Sequence, residues 1–174
     1  MDLRMKCLAI ADLFINEQMI EDGLAVLKEK GFEIDVKMLQ HDSLEELQED
    51  NIKLEKQGSE AVDLPEYLMQ NLEQYDYIIT QFAPVGKKVI DNAPNLKFIG
   101  VLRAGIENVN TDYAKEKGIS VFNTPGRSET SVSEFTVGLI LSEIRNIARA
   151  DRKLRGRKME KNYTNGLQKT EITE

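Results

Sequence analysis

The sequence predicts an α/β fold, a flavodoxin-like doubly wound parallel sheet of five strands. Three observations carry that expectation. Strand-like and helix-like segments alternate five times along the chain. The connections between them are short, and such alternation folds as parallel strands covered by helices. The run from Cys7 to Ala11 is continuously apolar, as suits a strand buried on both faces.

In chain order, residues 7–11 are the first strand. Residues 19–30 carry apolar side chains at 19, 20, 24, 26 and 27, and Gly31 follows. One amphipathic helix with a C-terminal glycine is expected there. Residues 32–38 alternate like an edge strand. Residues 43–60 hold Leu44, Leu47, Ile52 and Leu54 among Glu, Gln and Lys, a solvated helix and a loose connection. Pro65 opens a helix through about residue 73. Residues 75–80 are the third strand, 81–86 its turn and 87–93 a short helix. Residues 96–102 are the fourth strand. Asn110 or Thr111 caps a helix that ends at Gly118, and residues 119–122 are the fifth strand. Past Gly126, Ser131 and Glu134 have capping-box spacing. Residues 135–141 are apolar almost all round, so this helix expects burial on several sides by a second domain or subunit.

With 174 residues, the chain suits one domain, or one domain and part of another. A single cysteine, Cys7, allows no internal disulfide and points to the cytoplasm. Cys7 itself is expected to be buried in its strand and inert. No apolar run approaches the roughly 18 residues of a membrane span. The net charge of −7 argues against a nucleic-acid partner, and the basic run 145–158 reads as a solvated helix face. Asp12 follows the first strand without a neighbouring acid, so a phosphate-accepting role is not expected.

The most informative stretch runs from Val101 to Asn110 and on through residues 118–126. It places two strand ends close together with spare backbone N–H groups. Such ends are where open α/β sheets hold small anions and cofactors. At Ala104 and Gly105 glycine permits close approach, so an anion there would gain charge-assisted hydrogen bonds from N–H groups. The alternative is a turn that merely needs glycine at positive φ. Arg103 either adds charge there or is an ordinary exposed arginine. Phe82, Ala83 and Pro84 follow the third strand at the switch point of the sheet, as a ligand loop or as a packed turn.

These residues resemble the D-isomer-specific 2-hydroxyacid dehydrogenases, a family that includes phosphoglycerate dehydrogenase. Arg103-Ala-Gly-Ile-Glu-Asn-Val109 is similar to the family's R-x-G-x-D-N-V/I. Residues 114–125 are similar to its A-x-x-x-G-I-x-V-x-N-T-P, and residues 131–134 with Arg145 and Asn146 fall where it has A-V-A-E/D and R-N/R. Glu107 and Ser133 depart mildly from the family pattern.

The resemblance implies an NAD- or NADP-dependent oxidoreductase acting on the CH–OH group of a small D-2-hydroxy acid. Residues 1–126 would be an incomplete substrate-binding domain. Residues 127–174 would be crossover helices and the start of a truncated Rossmann domain, which in the family also helps to form the dimer. Ala104, Gly105, Arg103, Ala83 and Phe82 would hold a 2-hydroxy or 2-oxo carboxylate. Val132 would lie toward the nicotinamide, its alternative being a core valine. The family's G-x-G-x-x-G loop and its catalytic Arg, Glu and His have no counterpart in the 174 residues, and His41, the single histidine, lies in an early connection. No catalytic residue is therefore expected here, and the chain by itself is expected to be inactive. The alternative function is a non-catalytic binding or dimerisation module.

Overall fold

The computed structural model describes residues 5–126 and 128–159. They belong to two units, one within Met1–Pro125 and one within Gly126–Glu174. In the first unit, β1 (Lys6–Ala11), β2 (Glu33–Met38), β3 (Tyr77–Thr80), β4 (Phe98–Val101) and β5 (Ser120–Asn123) form one sheet. All neighbours are parallel, in the order β2-β1-β3-β4-β5. This is the doubly wound arrangement that the alternation predicts.

Side chains on a strand alternate between faces, and here each face has a core. Leu8, Ile10, Ile78, Ile99 and Val101 pack with Leu68, Leu72, Tyr75 and Val89 on one side. Cys7, Ala9, Ala11 and Ile79 pack with Ile20 on the other. Burial pushes the Cys7 thiol up to about 12, with a smaller contribution from Asp35, so the inert reading holds.

Several helices are shorter than the periodicity suggests. The stretch 19–30 is two helices, α1 (Glu17–Gly23) and α2 (Ala25–Glu29), parted at Leu24. Gly23, at that junction, is a poor helix former. Asn16 caps α1, its Oδ1 accepting the Met19 N–H at 2.9 Å. α3 (Leu44–Gln57) is long and regular and buries Leu47 and Leu54. Ser43 Oγ accepts the Glu46 N–H at 3.2 Å, and the Glu46 carboxylate accepts the Asp42 N–H at 2.7 Å. The helix expected from Pro65 to 73 is a single turn, α4 (Glu66–Met69), followed by a 3₁₀ turn (Leu72–Gln74). Asn71 separates them with φ at +59°, a conformation asparagine tolerates better than most residues. α5 (Lys87–Asp91) follows β3, and α6 (Thr111–Glu116) is capped by Asn110, whose Oδ1 accepts the Tyr113 N–H at 3.0 Å.

Asp76 fixes the entry to β3. Its carboxylate accepts the Lys6 N–H at 3.0 Å and Lys97 Nζ at 2.7 Å. Burial pushes its pKa upward, but these bonds outweigh burial and hold it below the ordinary carboxylate value. A carboxyl lowered in the folded state stabilises the fold above its unfolded value, near pH 4, and loses that contribution as pH falls through the folded value. Urea titrations across the acid range check this: Asp76→Asn is expected to lower stability at neutral pH and to flatten the acid loss.

In the second unit, α7 (Glu129–Ile144) leads through Asn146, with φ at +56°, into α8 (Ile147–Arg155). The capping-box reading of Ser131 is corrected here. The helix begins earlier, with Ser128 at its N-cap, and Ser131 Oγ donates to the Ser128 carbonyl at 3.1 Å. No α7 residue is buried, and Phe135 is 69% and Leu139 56% exposed. Among the described residues no helix is long and apolar enough to cross a membrane.

Candidate functional site

Three loops gather at the C-terminal ends of β1, β3 and β4. The β1 loop is held by Asp12, whose carboxylate accepts the Phe14 and Ile15 N–H groups at 2.8 and 2.9 Å. Asp12 is 1% exposed, so it shapes a turn. Asp12→Ala is expected to cost about 1–2 kcal/mol, measured as a shift of the urea midpoint, because two N–H groups of a part-buried turn lose their acceptor. Phe14 from this loop meets Phe82 from the β3 loop with ring centroids 5.7 Å apart.

The β3 and β4 loops are tied together by backbone and by one buried side chain. Leu102 N–H donates to the Thr80 carbonyl at 2.8 Å, and Val85 N–H to the Asn108 carbonyl at 2.7 Å. Asn108 is fully buried, and its Nδ2 donates to the Ala83 carbonyl at 3.0 Å and the Gln81 carbonyl at 3.5 Å. Asn108 stood inside the recognised motif, but a single sequence gave it no role. Its work is to hold two loops at one height.

Ala104 and Gly105 form the outer turn of the β4 loop. Ala104 is exposed and Gly105 half-buried. Neither N–H donates a hydrogen bond to a described residue, while the Ala104 carbonyl accepts Asn123 Nδ2 at 2.6 Å. A Cβ on Gly105 would come within 2.8 Å of Arg103 Nη2 and would strike the Glu107 carboxylate. Gly105 does not have a positive φ, so the turn alone does not demand glycine.

Arg103 is neither exposed nor free. Its side chain is 15% exposed, and Nη2 lies 3.0 Å from Glu55 and 3.3 Å from Glu107. Its guanidinium sits 5.0 Å from the Phe82 ring centre, and Nη1 is buried without a partner. Two carboxylates offset much of its charge, so it braces the turn against α3 and Phe82. Ala83 is buried and presents its carbonyl to Asn108 and to Thr80 Oγ1. Val132, in the second unit, is 59% exposed on α7.

A pocket of about 170 Å³ opens beside Phe82 and Pro84, lined also by His41, Asp50, Asn51 and Leu54. His41 thus lies beside a candidate site residue. The single sequence held no signal for this, since it depends on how α3 packs against the β3 loop.

The family model for the D-isomer specific 2-hydroxyacid dehydrogenase catalytic domain matches residues 14–171. The chain belongs to this family. It is 40% identical over 100 residues to a hydroxypyruvate reductase of Thermotoga maritima, covering 57% of this chain and 33% of that one. It is 35% identical over 127 residues to a D-3-phosphoglycerate dehydrogenase of Methanocaldococcus jannaschii, covering 70% and 24%. The D-lactate dehydrogenase of Aquifex aeolicus, solved with NAD and lactic acid, shares the fold: TM-score 0.62, 18% identity, 90% of this chain and 39% of that one. The chain therefore spans well under half the length of the relatives it matches.

Proposed function

We propose that this chain is the substrate-holding part of an NAD(P)-dependent oxidoreductase acting on the CH–OH group of a small D-2-hydroxy acid, or in reverse on the 2-oxo acid. The observation that carries this reading is the pair of undonated N–H groups on Ala104 and Gly105. A carboxylate placed there gains two charge-assisted hydrogen bonds. Phe82 and Ala83 form the adjoining wall, and Arg103 keeps the turn in place. Residues 1–126 are read as the substrate-binding domain and 127–174 as crossover helices that begin the nucleotide-binding domain.

The described residues do not build a dinucleotide site. They contain no G-x-G-x-x-G loop to cradle a pyrophosphate. In this reading Val132 touches the nicotinamide region, and none of these 174 residues is assigned the proton-transferring or carbonyl-polarising role. The exposed apolar side chains of α7 are assigned to a homodimer interface in the cytoplasm, with no role for nucleic acid or a membrane.

Mixing the purified chain with NADH and hydroxypyruvate tests this division. The expected result is no oxidation of NADH, together with saturable binding of the acid. Turnover by this chain alone, or no binding at all, would overturn the reading.

A further inference from the structure

The carboxylate turn carries an acid of its own. Glu107 follows Gly105 by two residues in the β4 loop. Its carboxylate fills the space that a Cβ on Gly105 would take, with Cδ 3.1 Å from that position. Arg103 Nη2 lies 2.8 Å from the same position and 3.3 Å from Glu107 Oε2. The Arg103–Glu107 pair therefore sits directly against Gly105, where only glycine leaves room for it. This accounts for the missing side chain, which the backbone does not, since φ at Gly105 is not positive.

The two carboxylates on Arg103 are not equivalent. Glu55 comes from α3, remote in sequence, and its contact at 3.0 Å fastens the loop to that helix. Glu107 belongs to the loop itself, stands at the longer 3.3 Å, and has a side chain 44% exposed. Pairs exposed to that extent contribute little to stability. Glu107 can therefore turn out into water while Arg103 stays fastened by Glu55 and by the Phe82 ring. Glu107 also takes no hydrogen bond from the turn: the Ala104 and Gly105 N–H groups donate to no described residue. Its place beside Gly105 is held by Arg103 alone.

An acid that accepts the Gly105 N–H brings a second carboxylate beside the first. Like charges that close repel, and the more so where protein displaces water. The incoming acid has the advantage, because it gains backbone N–H bonds that Glu107 does not make. We propose that Glu107 is a built-in competitor of the substrate: its carboxylate holds the anion's place beside Gly105 until the substrate carboxylate displaces it and takes over its pairing with Arg103. This rests on the carboxylate reading of Ala104 and Gly105. In the empty site Glu107 balances the charge of Arg103. A neutral carbonyl compound cannot take over that balance, so it leaves Glu107 where it stands. Glu107 thus sets the affinity of the turn for acids and keeps its anion place closed to uncharged analogues.

The test is calorimetric titration of the full chain with glyoxylate and with its neutral amide, glyoxylamide. Glu107→Gln keeps the length of the side chain and removes its charge. It should bind glyoxylate about tenfold tighter than the wild type, the scale of one like charge removed from a partly wet site. Glu107→Ala, which also empties the space, should gain at least as much. Binding of glyoxylamide should change by less than about twofold in either variant. In the wild-type chain, the carboxyl carbon resonance of Glu107 should shift as glyoxylate saturates and stay in place with glyoxylamide. Glyoxylate binding by Glu107→Gln no tighter than wild type, an equal gain for the amide, or a Glu107 resonance that does not move would overturn the competitor and leave the carboxylate turn standing. Glyoxylate binding by neither the wild type nor either variant would overturn the turn and the competitor together.

Discussion

Gly105→Val is expected to abolish measurable binding of a 2-oxo acid while leaving the chain folded. The added side chain enters space bounded by Arg103 Nη2, 2.8 Å from the position of a Cβ, and by the Glu107 carboxylate. Both are the far ends of long side chains, so the fold can accommodate them. The turn cannot keep its shape at the same time, because Arg103 is the brace that links it to Glu55 and Phe82. Two charge-assisted bonds are at stake, so affinity should fall about a hundredfold or more. Titration calorimetry with glyoxylate, paired with urea unfolding of the variant, separates lost binding from lost folding. Unchanged affinity would remove the backbone site.

The second large effect is expected at Asn108. Among the described residues, its amide is the one buried side chain that ties the β4 loop to the carbonyls of the β3 loop. Asn108→Ala leaves the Gln81 carbonyl without its donor and the Ala83 carbonyl with Thr80 Oγ1 alone in a water-poor interior, which should cost about 1–3 kcal/mol of stability. Urea unfolding measures that loss. Acid binding should weaken as well, since Phe82 and Ala104 no longer keep a common height. Loss of stability with full affinity would show that Asn108 matters for the fold alone.

The sheet was legible because its signals are local. Cys7 to Ala11 and the runs at 75–80 and 96–102 are apolar and short, and each is followed by a turn. The order β2-β1-β3-β4-β5 follows from parallel crossovers of fixed hand. Helix ends were less legible. Apolar spacing at 19–27 does not reveal a break at Leu24, and Asn71 interrupts a stretch that Pro65 opens well. Ser131 and Glu134 have the right spacing for a cap, but the helix had already begun at Glu129.

The site was half legible. Motif spacing pointed to Ala104 and Gly105, and the structure adds that their N–H groups donate to no described residue. Arg103 stood open between adding charge at the turn and being an ordinary exposed arginine, and its burial was not legible, because its partners Glu55 and Phe82 are remote in sequence. His41 and Asn51 were invisible for the same reason: their shared pocket exists only once α3 is folded beside the β3 loop.

The amide resonances of Ala104 and Gly105, followed by NMR while the chain is titrated with glyoxylate, test the central claim most directly. Saturable shifts centred on those two amides, lost in Gly105→Val, are the expected result. Binding that leaves both amides in place, or shifts spread evenly over the surface, would contradict the assignment of this turn as the carboxylate site.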